Sequence, residues 1–332
     1  MRRFRHPVLV GLTILLCILS GCARRRTTVV SSPSSPSPTP LPPLPPTPAS
    51  NVQPLREVAI LYHSAAGHAE VIAELKKLLP VTTYRLTTLD VQAESSTRTL
   101  DALRGKPGLF TVAIGQPAAI FARDQLKGPV VFAQVFNYKE LIVDGRSIRG
   151  VAALPPLDLQ IQDWKKLDPQ VRTIGLIVSQ SHTDLIAQAE LAAKGSALTI
   201  KHEISGSDRE TLYLFKRLTP QIDGLWLVPD DRILSPRMLR ELLDYAISHR
   251  VRVCVFSDAL LDWGALMSAS PTSSDIARTL YRVLETMMAG KTSTVPPLTP
   301  VSEVAIRMNM QVAGRFRLSS PQGTSWVVRR AR

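Results

Sequence analysis

From Glu57 onward the sequence alternates short β-rich apolar runs with amphipathic helical stretches, and this alternation limits the possible folds more than any other feature. A strand covered on both faces reads as a continuous apolar run, whereas a covering helix shows one apolar stripe; together they predict parallel sheets layered between helices. Val58 to Tyr62 reads as the first strand, followed by a polar turn and a helix over Ala69 to Leu79. A strand near Thr82 to Leu86, a helix from Ser96 to Arg104, a strand from Leu109 to Ile114 stopped by Gly115, a helix from Ala118 to Gln125 and a strand from Pro129 to Val135 complete one set.

The pattern then restarts. A helix over 158–168 leads to strands at Thr173 to Val178, Leu198 to Glu203, Gly224 to Val228 and Val251 to Phe256, with helices at Thr183 to Lys194 and Arg209 to Leu218 between them. Ser235-Pro236 opens a further helix running to about His249, because a serine cap and a proline in the first turn both suit its unbonded N–H groups. Two sets of similar size predict an α/β protein of two Rossmann-like lobes with parallel sheets joined by a hinge. Leu266 to Ala269 and the amphipathic helix Ser274 to Ala289 are expected to recross to the first lobe. The expected boundaries are 57–152 plus 270–320 for the first lobe, 153–269 for the second, and 321–332 for a basic tail.

The residues before the fold carry an address. Arg2, Arg3 and Arg5 precede an apolar run from Val8 to Leu19, shorter than the roughly 20 residues needed to span a bilayer. Leu19-Ser20-Gly21-Cys22 follows and resembles a bacterial lipobox, so residues 1–21 are expected to be a signal peptide and Cys22 the lipidated residue. An ordinary secretory signal with an incidental cysteine is the plainer alternative. Residues 22–56 include a Ser/Pro-rich tether too polar and proline-bound to pack a core. Cys254 is the cysteine left in the folded part, so no disulfide framework is expected there.

The net charge of +13 suggests nucleic acid at first sight. Six arginines stand before the fold and Arg329, Arg330 and Arg332 after it, so +4 remains for everything between. No basic face interleaved with aromatics is visible, and nucleic acid is not an expected partner.

Several stretches carry a family resemblance. Thr111 to Pro117 (TVAIGQP), Gly128 to Ala133 (GPVVFA), Gly150 to Leu167, Thr173 to Ser179 (TIGLIVS), Asp223 to Asp231 (DGLWLVPDD), Val253 to Asp258 (VCVFSD), Trp263 to Leu266 and Ala289-Gly290-Lys291 follow one another in order. In this the chain resembles the ABC-transporter substrate-binding lipoproteins of the tryptophan/tyrosine type, which have the type I periplasmic binding protein fold. The closing segment Ile306 to Leu318, with Asn309 after its strand, resembles the last strand and helix of that family. The resemblance implies hinged lobes that close on an amino acid or similar solute, a monomer, and ABC permease and ATPase subunits as partners at the cell envelope. Where members often show Ser-Asp-Pro after the fourth strand, this chain reads Phe136-Asn137-Tyr138.

Ligands of parallel α/β lobes bind beyond the carboxyl ends of the strands, where loops converge with helix N-termini. Position therefore nominates His63, Ser64, Ala65, Gly115, Gln116, Asn137 and Tyr138 in the first lobe, and Ser179, Thr183, Asp230, Asp231, Ser257 and Asp258 in the second. Each has a structural alternative: the hydroxyl residues as helix caps, Gly115 as a tight turn, the Asp230-Asp231 pair as solvated loop, Tyr138 as packing between lobes. An enzyme is not expected, since no GxSxG, HExxH, Walker or GxGxxG motif occurs. No metal or other cofactor is expected either; His63 and His68 have no third ligand near them in sequence. An envelope sensor or protein-interaction module that keeps the fold without transport is the alternative function.

Overall fold

The computed structural model describes residues 55–65, 67–106, 108–142 and 145–318, and the backbone of 326–330. Cys22 and nearly all of the expected tether lie outside the described residues. Among those described, no helix is long and apolar enough to cross a membrane.

The first sheet is built from β1 (Arg56–Tyr62), β2 (Tyr84–Asp90), β3 (Phe110–Ile114), β4 (Val130–Ala133), β5 (Ile148–Val151) and β11 (Leu298–Thr299). Its order is β11-β5-β4-β3-β1-β2, and all of its pairs are parallel. Side chains alternate across it as the pleat demands: Val58 and Ile60 of β1 enter the apolar cluster on one face, Ala59 and Leu61 the cluster on the other. The first face is covered by α1 (His68–Leu78) and α8 (Ser273–Met288), the second by α2 (Thr97–Arg104) and α3 (Gln116–Gln125).

The second sheet comprises β6 (Thr173–Ser179), β7 (Thr199–Ser205), β8 (Gly224–Trp226), β9 (Arg252–Val255), β10 (Met267–Ser270), β12 (Glu303–Met308) and β13 (Trp326–Arg330). Its order is β13-β12-β10-β9-β8-β6-β7. Ile174, Leu176 and Val178 of β6 pack with α4 (Leu157–Leu167), α5 (Asp184–Lys194) and α9 (Met310–Arg315), while Ile177 packs with α6 (Asp208–Leu218) and α7 (Pro236–Ser248). Ser235 caps α7 by accepting a hydrogen bond from the Met238 N–H, and its hydroxyl donates to Asp208 Oδ2 at 2.7 Å. Replacing it with alanine is expected to cost about 1 kcal/mol, read as a melting decrease of about 2–4 °C.

The sheets are parallel except at one edge of the second, where two pairs are antiparallel. β12 lies antiparallel to β10, and β13 antiparallel to β12. Residues 270–320 therefore do not all return to the first lobe: α8 and β11 do, but β12 and α9 belong to the second. Part of the expected basic tail is likewise a strand of that sheet. The physical reason is edge coverage, since β10 would otherwise expose a row of unpaired backbone groups.

The chain passes between the lobes three times, at residues 152–156, at Pro271-Thr272 and at 300–302. The second and third passages are tied together. Asp275, 2% exposed in the first turn of α8, accepts the Ser302 N–H at 2.6 Å, the Ser302 hydroxyl at 2.9 Å and the Glu303 N–H at 2.8 Å. Glu303 in turn accepts from the Thr272 hydroxyl and from Arg278, each at 2.7 Å. The first passage is held to the second lobe by Gln160, whose amide donates to Pro155 O at 2.8 Å and accepts from the Trp226 indole at 3.1 Å.

Candidate functional site

The carboxyl ends of β4, β6 and β8 face one another across the lobes, and the loops that follow them touch. After β4 the backbone takes a left-handed step at Gln134 (φ 56°), which aims the next residues at the second lobe. Phe136 packs against the second-lobe core and stands 4.2 Å, ring centre to ring centre, from His182. Asn137 is 2% exposed: its Oδ1 lies 2.7 Å from His182 Nε2, and its Nδ2 donates to Asp231. Because an amide oxygen only accepts, His182 carries its proton on Nε2. Lys139 donates to Ser181 O at 2.7 Å and to Asp184 at 2.6 Å, and Arg232 pairs with Glu140. These contacts form an interlobe seam with one aromatic plug and a polar border.

Inside the first lobe, the ends of β1 and β3 converge. Gly115 has φ 84°, and a Cβ there would lie 2.5 Å from His68 Cε1 and 2.9 Å from His63 Nδ1, so the close approach of two imidazoles requires glycine. The rings meet edge to face at 4.8 Å. His68 donates through Nδ1 to the His63 carbonyl at 2.8 Å, and burial holds its ring toward the neutral form. His63 Nδ1 and Gln134 Oε1 are buried with no hydrogen-bond partner. Leaving such an atom unpaired costs about 1–3 kcal/mol, so a polar ligand atom reaching this corner would be bound favourably. Among the described residues, no group of three His, Cys, Asp or Glu is placed to hold a metal ion.

The remaining nominated residues fall into distinct roles. Ser64 is exposed and donates to Asp90 Oδ2 at 2.7 Å; the Gln92 N–H and this hydroxyl hold the Asp90 carboxyl below its usual range. Ala65 is exposed beside it, and its carbonyl accepts the His68 N–H. Gln116, half-buried, is the first residue of α3, whose cap Gly115 offers no side chain to the free N–H groups. Tyr138 opens a short 3-10 turn and packs with the first-lobe core.

In the second lobe Asp230 is fully buried and accepts the N–H groups of Ser179 and Arg232, both at 3.3 Å, which pins the loop after β8 to the end of β6. Asp231 is exposed and takes up Asn137. Asp258 accepts the Ser268 hydroxyl and forms an ion pair with Arg307 at 2.6 Å. Ser179, Thr183 and Ser257 stand where caps belong, yet none accepts a capping bond through its side chain. The Ser179 hydroxyl is buried without a partner. Cys254 is buried in β9, and burial pushes its thiol up, so it serves as a small apolar side chain.

The sequence did not single out Gln134, Lys139, Glu140 or Arg232; His182 fell inside the nominated stretch 179–183 and Phe136 inside the quoted Phe136-Asn137-Tyr138, neither with a role. All six follow strand ends; what position could not supply was the partner across the seam. The structure also brings Asn137 to Asp231, two nominated residues 94 apart in sequence.

No protein-family model matches the chain, and no curated protein matches it. Solved structures do. One is a conserved domain protein from Vibrio cholerae, 15% identical, covering 81% of this chain and 97% of its own at a TM-score of 0.57. A second is an ABC domain in complex with L-Trp from Streptococcus pneumonia, 17% identical with the same coverages and TM-score. A third is the ligand-free, open form of a substrate binding protein with adhesive properties from Clostridium difficile, 14% identical, covering 82% and 98% at 0.59. These likenesses establish the class of fold: two α/β lobes of the type I periplasmic binding protein kind.

Proposed function

We propose that this chain is the solute-binding lipoprotein of an ABC-type importer. It holds a small polar molecule, an amino acid or similar solute, between its lobes and presents it to a permease and ATPase. The observation that carries this reading is the facing of strand carboxyl ends across three chain passages, with unpartnered polar atoms of His63, Gln134 and Ser179 gathered at those ends. In such a fold, a ligand that touches both lobes favours the closed arrangement by as much as its extra affinity for it. Cys22 as the lipid-bearing residue, attachment on the envelope side and a monomeric state belong to the same proposal. The seam favours a second reading, an envelope sensor or interaction module, because Asn137 is already spent on Asp231 and His182.

A melting screen of the purified chain against aromatic and aliphatic amino acids separates the two. On the importer reading one of these solutes at 100 times its Kd adds about 2.7 kcal/mol to stability, a shift well above noise. A flat response to every one of them would contradict amino-acid capture.

A further inference from the structure

The contacts that close the lobes are asymmetric: a single loop of the first lobe, residues 134–141, supplies every seam bond described above, and the second lobe answers with one buried histidine at its centre. We propose that this seam is a proton-released latch, closed while His182 is neutral and opened when His182 is protonated. The proposal rests on the seam geometry and is independent of which solute the cleft takes.

His182 is 3% exposed, and part of its cover is the Phe136 ring and the Asn137 amide of the opposite lobe. Opening the seam removes both and admits water to the imidazole. The charged groups facing the ring divide evenly: Asp230 and Asp184 favour its cation, while Lys139 and Arg232 oppose it. Each of these has another partner in the closed seam, with Asp184 paired to Lys139, Arg232 paired to Glu140, and Asp230 engaged by two backbone N–H groups. Asp231, bonded to the same Asn137, is exposed and screened by water, so desolvation outweighs the carboxylates and pushes the histidine below its ordinary value.

The sign follows from linkage. A group whose pKa is depressed in the closed form binds its proton preferentially in the open form, where it returns to the ordinary value near 6.5. Closure is therefore fully present above that value and is lost as the pH falls below it. Asn137 also senses the change through one atom pair: its oxygen still accepts from the charged ring, so the cost of protonation lies in burying the charge, and the seam gives way as a unit.

Hydrogen exchange of the full chain between pH 7.5 and 5.0, corrected for the intrinsic pH dependence of exchange, tests the latch. The expected result is loss of protection in 134–141 and 179–184, growing by up to about 10-fold per pH unit below the open-state value, with β1 and β3 unchanged. His182→Gln keeps an N–H donor for Asn137 and cannot titrate, so its seam is expected to stay protected across the range. A pH-independent seam in the native protein, a loss shared equally by β1 and β3, or a parallel loss in His182→Gln overturns the proposal. Should the variant fail to fold, NMR titration of His182 in the native chain decides: a value below 6.5 supports the latch, and one at or above the ordinary value overturns it.

Discussion

Asp275→Ala is expected to lower stability by about 3–5 kcal/mol, a melting decrease of about 6–20 °C. The carboxylate is nearly the sole acceptor for the third passage between lobes, taking the Ser302 N–H, the Ser302 hydroxyl and the Glu303 N–H, and it stands 3.5 Å from Arg278. Removing it strands two backbone donors, one of them buried, and leaves Glu303 to hold Arg278 and Thr272 alone. Asp275→Asn keeps one acceptor oxygen and is expected to lose less, so the order native, Asn, Ala in a thermal or urea melt checks the claim that this side chain welds two passages. An alanine variant within about 1 kcal/mol of native would refute it.

Gly115→Val is the second large effect. A β-branched residue at φ 84° is strained by about 1–3 kcal/mol, and its Cβ would enter the space of His68 Cε1 and His63 Nδ1. Overpacking of this kind adds about 1–3 kcal/mol more. The same displacement moves the His63 corner, so solute-induced melting shifts are expected to vanish with it. Strain and collision separate in a double-mutant cycle: Gly115→Ala combined with His68→Ala should recover the collision part and leave the backbone part. Equal destabilisation of Gly115→Ala with and without His68 would show that the imidazole approach is not what demands glycine.

Much of the fold was legible because it is local. The strands β1, β3 and β6 announce themselves as apolar runs, and the cap at Ser235 with its proline sets the start of α7 within a residue of the observed position. Asn309, placed after the last family-like strand, does cap α9, and its amide also donates to Leu261 O at 2.7 Å. What failed to read out is what depends on distant partners. β5 and β11 are short, and β11 lies among prolines, so pairing across the first sheet defines them rather than propensity. The sequence EVAIRM of β12 suits either lobe; only the third passage and the free edge of β10 decide which sheet takes it.

The site shows the same division. Every nominated position lies near a strand or turn end, as the alternation required, yet position says nothing about whom a side chain meets. Asp230 and Asp258 look alike in sequence as carboxylates after buried strands. One turns out to be a fully buried pin for two N–H groups and the other half of an ion pair with Arg307. Asn137, nominated as a ligand contact, reaches across the lobes to Asp231 and His182. A seam built from residues 45 and 94 apart is invisible to any local rule.

The most direct measurement is a crystal structure of the chain with the solute that raises its melting point furthest. The account predicts density between the lobes, against the loops that follow β1, β3 and β4 on one side and β6, β8 and β9 on the other. Density on an outer face of either lobe, or in the groove beside Arg278 and Arg282 at the passages, would contradict it.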